Sequence, residues 1–300
     1  MRVDLVWPGL LKRAVDQKPQ PGGQGDLHQI SGCYVALDGS YDQFLLNKRR
    51  KLSPVYASAE LLWYLSRSKS TSMIEAYAPN YKLFADDGYA YGAYGGRLAE
   101  NADEDLLNGA IARLLDRQST KRCAVSLWRP NDLFDAAKYK DVPCTLSWQF
   151  LMHDDKLDML VSMRSNDLWK GFLYDVYVNT CIHRYVAARV GVPVGTYHHF
   201  AGSMHLYAKD VKRAKEAIEA PWPNIASQPS VEHCLLSPLD IQCAIEGEKG
   251  IRTMEHGSLR YVLLPGMLLD ALKCCESHFG RGWHQVMSPV LQKGMELFHG

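Results

Sequence analysis

The middle of the chain constrains the fold most strongly. Residues 142–165 have the pattern of two β-strands joined by the polar turn HDDK. Residues 175–191 then form a helix, with an acid at the start and Gly191 at the end, as capping predicts. Residues 196–210 are again strand-like. This order predicts an α+β domain built on a large mixed or antiparallel sheet with flanking helices.

The flanking segments extend this prediction to the rest of the chain. Residues 33–46 alternate apolar and polar side chains around a DG turn, which favours two strands. Helical spacing predicts a buried helix over residues 54–66 and another helix over 104–117. From about residue 231, we expect short strands alternating with two C-terminal helical stretches. No internal repeat divides the 300 residues, so we expect a single domain over 1–300.

Composition excludes several classes of protein. The chain has 34 basic and 33 acidic residues, a balance that argues against a dedicated nucleic-acid binder but allows a small anionic substrate. Its eight cysteines form no CxxC pair and are expected to be free thiols, with Cys274 and Cys275 packed inside a helix. The N-terminal residues contain no apolar run long enough for a signal peptide or a membrane span, so we expect a cytoplasmic protein, or one in the host cytoplasm if viral, without a membrane partner.

Several chemically capable residues are ambiguous when each is considered alone. Glu60 lies beside apolar neighbours, and the pattern favours the solvated face of its helix over a retained interior acid. Asp175 alone is typical of a helix cap. His198, His199 and His205 lack an acidic partner at a common ligand spacing, so no metal site is predicted.

Six segments taken in order carry much more information. They are ELLWYL, YGAYG, KRCAVSLW, PCTLSWQF, RSNDLWKGFLYD and HHFAGSMHLY. In this order they resemble the thymidylate synthase family, including its hydroxymethylase members, over residues 45–210. The resemblance implies a thymidylate synthase-like fold for a single catalytic domain, and a homodimer whose sheets pack at the interface.

The resemblance also implies a nucleophile and its helpers. Cys144 would be the thiolate that adds to C6 of a pyrimidine nucleotide, activated by nearby positive charge, so that C5 attacks a one-carbon unit. Glu60 would organise water and shuttle protons, and Tyr94 would assist deprotonation at C5. The co-substrate implied is 5,10-methylenetetrahydrofolate.

Further residues are implied to bind the two substrates. The residues implied for the nucleotide are Arg164 and Ser165 from the same subunit, Lys121 and Arg122 from across the dimer interface, and His205 and Tyr207 at the sugar. Those implied for the folate are Asp167, Gly171, Tyr81 and Phe84. The N-terminal loop PQPGGQG lacks the family's phosphate arginine, for which Lys12, Arg13 or Lys18 are candidates. Without the resemblance, Lys121 and Arg122 would simply form a solvated turn.

Two departures from the family pattern refine the expected reaction. Asp175 stands where uracil-using members have asparagine, and a carboxyl group that carries a proton can match the N4 amino group and N3 of cytosine. Tyr81 and Phe84 stand where synthases have a tryptophan pair, which favours water capture over hydride transfer. The predicted enzyme is a hydroxymethyltransferase acting on dCMP, or on CMP, that makes a modified nucleotide for phage DNA or for a nucleoside natural product.

Three other functions are alternatives to this hydroxymethyltransferase. A reductive dCMP methyltransferase would differ only in the fate of the one-carbon unit, and a dUMP-using synthase would conflict with Asp175. A non-catalytic relative that binds nucleotides or RNA would have no need of a nucleophile such as Cys144.

Overall fold

The computed structural model describes residues 1–101, 104–220, 237–253, 266–279 and 289–299. The helices are α1 (Val3–Val15), α2 (Pro54–Leu65), α3 (Ser72–Tyr77), α4 (Tyr94–Leu98), α5 (Leu106–Asp116), α6 (Pro130–Asp135), α7 (Phe172–Val190), α8 (Val211–Glu219), α9 (Pro238–Thr253), α10 (Gly266–His278) and α11 (Pro289–His299). The strands are β1 (Leu27–Asp38), β2 (Ala99–Asn101), β3 (Glu104–Asp105), β4 (Ala124–Ser126), β5 (Thr145–His153), β6 (Lys156–Asp167) and β7 (Val194–Tyr207).

The main sheet is mixed, as predicted. Its strand order is β1-β7-β6-β5-β4, and a separate ribbon pairs β2 with β3. Strand β6 runs parallel to β7, whereas the β1–β7, β5–β6 and β4–β5 pairs are antiparallel. Parallel neighbours need a crossover connection, which α7 provides. The sequence expectation of an α+β fold on a large mixed sheet with flanking helices is confirmed.

The central hairpin and the crossover helix follow from local sequence. Asp154 and Asp155 both have positive φ, 48° and 57°, the conformation that a two-residue hairpin turn requires and that aspartate tolerates. Helix α7 ends at Gly191, whose φ of 78° is the left-handed conformation of a glycine C-cap. Most residues of α7 are buried, and α2 packs against it and against α10.

Two sequence expectations are wrong. Residues 33–46 do not form two strands, because β1 ends at Asp38 and the following residues fold inward as irregular chain. There Gln43 is fully buried, accepts a hydrogen bond from Val3 N at 2.7 Å and donates to the Asp38 carbonyl at 2.7 Å. Its apolar neighbours Phe44 and Leu45 are buried by packing, without a partner strand.

The C-terminal expectation also changes. From residue 237 onward the described residues contain three helices and no strand, and the rest of the predicted strand segments lies outside the described residues. Cys274 and Cys275 are fully buried in α10, which confirms their assignment to helix packing. In the part of the chain that is described, no helix has both the length and the apolar character needed to cross a bilayer.

Candidate active site

The backbone around Cys144 is held from both sides. Cys144 lies immediately before β5, and its backbone N–H and that of Thr145 donate to the hydroxyl oxygen of Tyr94, at 3.0 and 2.9 Å. On the other side, Arg164 N donates to the Cys144 carbonyl at 2.8 Å, and Arg164 Nε donates to the Pro143 carbonyl at 2.9 Å. The thiol is therefore attached to a backbone segment that is fixed by Tyr94 and Arg164.

The electrostatics around the thiol favour its protonated form. Burial raises the pKa of Cys144 to about 11, the positive charge of Arg164 lowers it, and the carboxylates of Asp175, Asp141 and Asp167 raise it. Burial outweighs the single positive charge, because removing a thiolate from water is costly. Formation of the thiolate is therefore sensitive to the protonation of the surrounding carboxyl groups.

Glu60 lies on α2 and points inward, so the expectation of a solvated position is wrong. Its Oε1 accepts a hydrogen bond from the Tyr56 hydroxyl at 3.0 Å, and its buried Oε2 has no hydrogen-bond partner among the described residues. Burial raises the pKa of Glu60 to about 8, and the negative charge of Asp175 raises it further. A buried polar atom without a protein partner is suited to a ligand or a catalytic proton.

Asp175 lies in the first turn of α7, which begins at Phe172. Its Oδ2 accepts a hydrogen bond from Asn166 Nδ2 at 2.7 Å, while the helix N-cap is Gly171, so the helix-cap interpretation of Asp175 is wrong. Burial raises the pKa of Asp175 to about 7, the Asn166 hydrogen bond lowers it, and the charge of Asp167 raises it. Both forms of the carboxyl group are therefore accessible near neutral pH.

A second layer of side chains supports Asp175, and sequence reasoning missed it. Asn166 Oδ1 lies 3.0 Å from His199 Nε2, and His199 Nδ1 lies 2.9 Å from the Tyr197 hydroxyl. The one available signal was that Tyr197 and His199 are two residues apart on a strand, which directs both side chains to the same face. A Cβ at Gly171 would lie 3.1 Å from Asp175 Oδ2 and 3.2 Å from Asn166 Nδ2, so this glycine leaves room for the bond between them.

An aromatic wall connects the interior of the site to the surface. The rings of Tyr64 and Tyr94 pack 5.1 Å apart, those of Trp63 and Tyr81 5.2 Å apart, and those of Tyr81 and Phe84 5.7 Å apart. Burial, followed by the charges of Asp141 and Glu60, raises the pKa of Tyr81. Phe84, at the outer end, is 46% exposed. A flat ligand could therefore extend from the carboxyl groups of Glu60 and Asp175 along these aromatic rings.

The ends of β6 and β7 bring another group of candidates together. The strand register pairs Asp167 with His205 and Ser165 with Ser203. Asp167 Oδ1 accepts hydrogen bonds from Trp169 N at 2.8 Å and Lys170 N at 3.2 Å, which closes the turn before α7. The ring of His205 packs 5.1 Å from that of Tyr207, next to the same turn.

The basic candidate residues lie in two separate parts of the structure. Arg164 Nη2 donates to the Val142 carbonyl at 3.0 Å, so this guanidinium supports the loop before the thiol. Lys121 and Arg122 are exposed just before the edge strand β4. Arg122 lines a surface groove with residues of α5 and β4, and no other candidate residue lines that groove.

Comparison with known proteins shows to which family the chain belongs. Residues 12–233 match the thymidylate synthase family. Two phage proteins named deoxyuridylate hydroxymethyltransferase are similar. The protein from Pseudomonas phage M6 is 30% identical over 192 residues, which cover 63% of this chain and 53% of the relative. The protein from Bacillus phage SP01 is 31% identical over 177 residues, which cover 54% and 46%.

A protein named thymidylate synthase, from Bacillus phage phi3T, is 28% identical over 239 residues, which cover 74% of this chain and 84% of the relative. The chain spans about half the length of the two hydroxymethyltransferases that it matches. The family match covers most of the chain, including Cys144, the helix α2 with Glu60 and the helix α7 with Asp175. The chain belongs to the thymidylate synthase family.

Proposed function

We propose that this protein is a folate-dependent hydroxymethyltransferase that converts dCMP to its 5-hydroxymethyl derivative, with CMP as the second candidate substrate. The observation that carries the proposal is Asp175, a half-buried carboxyl group that accepts a hydrogen bond from Asn166 at 2.7 Å and has a pKa of about 7. Cytosine presents an amino donor at N4 and an acceptor at N3, so a neutral carboxylic acid can accept from one and donate to the other. A permanently ionised carboxylate could only accept.

The same protonation favours the nucleophile. The charge of Asp175 is one cause of the raised pKa of Cys144, so neutral Asp175 lowers the cost of forming the thiolate. Cys144 then adds to C6 of the pyrimidine, and the ring becomes nucleophilic at C5. The proton on Asp175 therefore supports both base recognition and the first covalent step.

Glu60 has properties suited to the later proton transfers, and Tyr94 lies beside the backbone of the nucleophile. The pKa of Glu60, about 8, allows it to donate or accept a proton near neutral pH. Its unpartnered Oε2 is available to the substrate or to the water that captures the one-carbon unit. Tyr94 already contacts the Cys144 backbone through its oxygen, close to where C5 would lose its proton.

The remaining nucleotide contacts are proposed from the family pattern. Arg164 and Ser165 would meet the phosphate, and His205 with Tyr207 would meet the sugar. Lys121 and Arg122 would complete the phosphate site of the other subunit in a homodimer, which is consistent with their exposure and their separation from the groups around Cys144.

We propose that the aromatic wall binds the folate. 5,10-Methylenetetrahydrofolate would supply the one-carbon unit when bound. Tyr81 and Phe84 offer ring faces for its pterin, with Phe84 partly exposed at the outer end. Asp167 and Gly171 lie at the turn that borders Asp175. We propose that Asp167 holds the edge of the pterin and that Gly171, which has no side chain, leaves room for it.

A second candidate is hydroxymethylation of dUMP. It is favoured by the names of the two phage relatives, whose printed activity concerns deoxyuridylate. Those names support a hydroxymethyl product, whereas Asp175 supports a cytosine base. A reductive dCMP methyltransferase and a thymidylate synthase remain as product alternatives.

The product mass tests these choices directly. dCMP, CMP and dUMP would each be incubated with the protein and methylenetetrahydrofolate, and the products analysed by mass spectrometry. We expect a hydroxymethyl gain on a cytosine nucleotide. Turnover of dUMP alone would contradict the proposal, and a methyl gain with dihydrofolate would indicate hydride transfer.

Exchange of the C5 hydrogen of the nucleotide with solvent distinguishes an enzyme from a non-catalytic nucleotide-binding protein. We expect the wild-type protein to exchange the C5 hydrogen of dCMP with solvent, and Cys144→Ala to lose this exchange. Cys123→Ala is the matched control, since burial also raises the pKa of that thiol to about 11. A wild-type protein without exchange or turnover would be a binding protein.

A further inference from the structure

Three hydrogen bonds, two of them buried and the last one partly buried, form a chain that ends at the carboxyl group of Asp175. The chain starts at the Tyr197 hydroxyl, 2.9 Å from His199 Nδ1. It continues from His199 Nε2 to Asn166 Oδ1 at 3.0 Å, and from Asn166 Nδ2 to Asp175 Oδ2 at 2.7 Å. Tyr197 and His199 are fully buried and Asn166 is 3% exposed. Each group therefore depends on its protein partner for a hydrogen bond.

The donors in this chain all point toward Asp175. Burial lowers the pKa of His199 to about 3, so its ring is neutral and carries one N–H. The carbonyl oxygen of Asn166 can only accept, which requires the His199 proton to be on Nε2. His199 Nδ1 then accepts from the hydroxyl of Tyr197. With its oxygen engaged in this way, Asn166 can present only N–H to Asp175.

We infer that Asn166 is a specificity-determining positioning residue that makes Asp175 present an acceptor at Oδ2 and a donor at Oδ1 to the pyrimidine. The inference rests on the proposed use of a cytosine nucleotide. Oδ2 has two lone pairs, one for Asn166 and one for the N4 amino group. A proton on Asp175 is then carried by Oδ1, where it donates to N3 of cytosine.

The same arrangement rejects uracil. Uracil presents an acceptor at O4 and a donor at N3, so Asp175 would need its proton on the oxygen that faces O4. The N–H of Asn166 already points at that oxygen, and a hydroxyl oxygen is a weaker acceptor than the carbonyl oxygen of a carboxyl group, so a proton there weakens the hydrogen bond from Asn166. Asn166 is 3% exposed, so its N–H cannot exchange this bond for one to water.

Neighbouring residues hold the hydrogen bond between Asn166 and Asp175 in place. Phe172 packs edge-on against the His199 ring with centroids 5.2 Å apart, which restricts the ring's orientation. The absence of a side chain at Gly171 keeps the space beside Asp175 Oδ2 and Asn166 Nδ2 open. Gly171 therefore has a role in this hydrogen bond that is separate from any contact with folate.

Asn166→Leu tests the inference, since leucine has a similar shape without the N–H. We expect the ratio of kcat/KM for dCMP to that for dUMP to fall roughly tenfold or more, because one hydrogen bond to a carboxyl group is lost. Thr180→Val is the matched control, as Thr180 is buried on α7 and donates to helix carbonyls rather than to Asp175. An equal loss for both substrates in Asn166→Leu would overturn the inference.

Tyr197→Phe is a second variant, for the case in which Asn166→Leu does not fold. It keeps the ring and removes the hydroxyl that donates to His199 Nδ1, which weakens the hydrogen bond from His199 to Asn166, so the same ratio should fall, but by less. An unchanged ratio in Tyr197→Phe would overturn the inference that this chain of hydrogen bonds sets the base preference.

Nitrogen NMR shifts of His199 give a readout that does not depend on activity. The resonance would be assigned by its disappearance in His199→Gln. We expect a protonated Nε2 and an unprotonated Nδ1, and the opposite tautomer would overturn the inference. A wild-type preference for dUMP would instead overturn the proposed function. A dCMP preference that Asn166→Leu leaves unchanged would overturn this inference alone.

Discussion

The hydroxyl oxygen of Tyr94 lies 3.0 Å from the backbone nitrogen of Cys144 and accepts its hydrogen bond. The same oxygen accepts from Thr145 N at 2.9 Å. Tyr94→Phe would leave two backbone donors without this acceptor, so we expect a loss of roughly 2 kcal/mol in the free energy of unfolding. We also expect a fall in kcat, because the thiol loses its fixed position. Urea denaturation and steady-state kinetics measure the two effects.

The matched control for Tyr94→Phe is Tyr64→Phe. It removes a hydroxyl from the ring that packs against Tyr94 and keeps the Tyr94 oxygen in place. We expect a smaller change in kcat for the control. Equal effects of the two variants on kcat would show that Tyr94 acts only through packing.

Asp175→Asn combined with Asn166→Leu should move base preference from cytosine toward uracil, because the N–H of Asn166 would otherwise face the donor nitrogen of the new amide opposite O4. An asparagine amide donates to O4 and accepts from N3–H, which is the uracil edge. Sites that pair a buried polar edge can reject the mismatched base by up to about 10⁴-fold, so a large change in the ratio of kcat/KM for dCMP to that for dUMP is expected. Competition assays with both nucleotides measure it. Asp167→Asn should lower turnover without reversing the preference. A double variant with the same ratio as Asn166→Leu alone would exclude a role of Asp175 in base recognition.

Glu60→Gln should change how stability depends on pH. The pKa of Glu60 in the folded protein, about 8, lies above its ordinary value of 4.5, so the folded state holds the proton more tightly. The stability contributed by protonated Glu60 is fully present below pH 4.5 and is lost as the pH rises toward 8. Glutamine stays neutral, so the variant should gain stability relative to the wild type at pH 9, on the order of 2–4 kcal/mol.

The measurement is the difference in free energy of unfolding between wild type and Glu60→Gln from pH 5 to pH 9. This difference removes the contribution of carboxyl groups that the two proteins share. A difference that does not vary with pH would mean that Glu60 has no raised pKa in the folded protein. Activity should fall in the variant at every pH, because glutamine cannot transfer the proton.

Mixed dimers test the proposed sharing of the phosphate site. Cys144→Ala and the double variant Lys121→Ala, Arg122→Ala should each be nearly inactive alone. If each site takes its thiol from one subunit and its basic pair from the other, an equal mixture of subunits restores about a quarter of the wild-type sites. Recovery of activity after refolding the mixed subunits together measures this. No recovery would indicate that Lys121 and Arg122 act within their own subunit, or not at all.

The elements near the site were predictable where local signals were strong. The hairpin of β5 and β6, the helix α7 with Gly191 at its end, and the strand β7 each follow from periodicity and turn chemistry. The segment after Asp38 was not predictable in this way, because its apolar residues resemble a strand and are buried without one. Local pattern reports which side chains avoid water, and does not report whether a partner strand exists.

The candidate site residues were also predictable from the sequence only in part. Family resemblance selected Cys144, Glu60 and Asp175 as residues of interest, although pattern alone favoured a solvated Glu60 and a capping Asp175. Their surroundings came from the fold, since α2 and α7 are distant in sequence and pack together. The buried chain through Asn166 and His199 depends on the parallel pairing of β6 and β7, which no local signal specifies.

The sequence by itself determined the element types around the site, the fold class and the nucleophile candidate, because periodicity, turn residues and ordered motifs are local properties of a chain. Only the tertiary structure decided the protonation behaviour of Glu60 and Asp175. Burial raises both pKa values, the interaction between Glu60 and Asp175 raises that of Glu60 further, and the Asn166 hydrogen bond lowers that of Asp175. A pKa depends on desolvation and on the distance to other charges, and both are set by residues far apart in the chain.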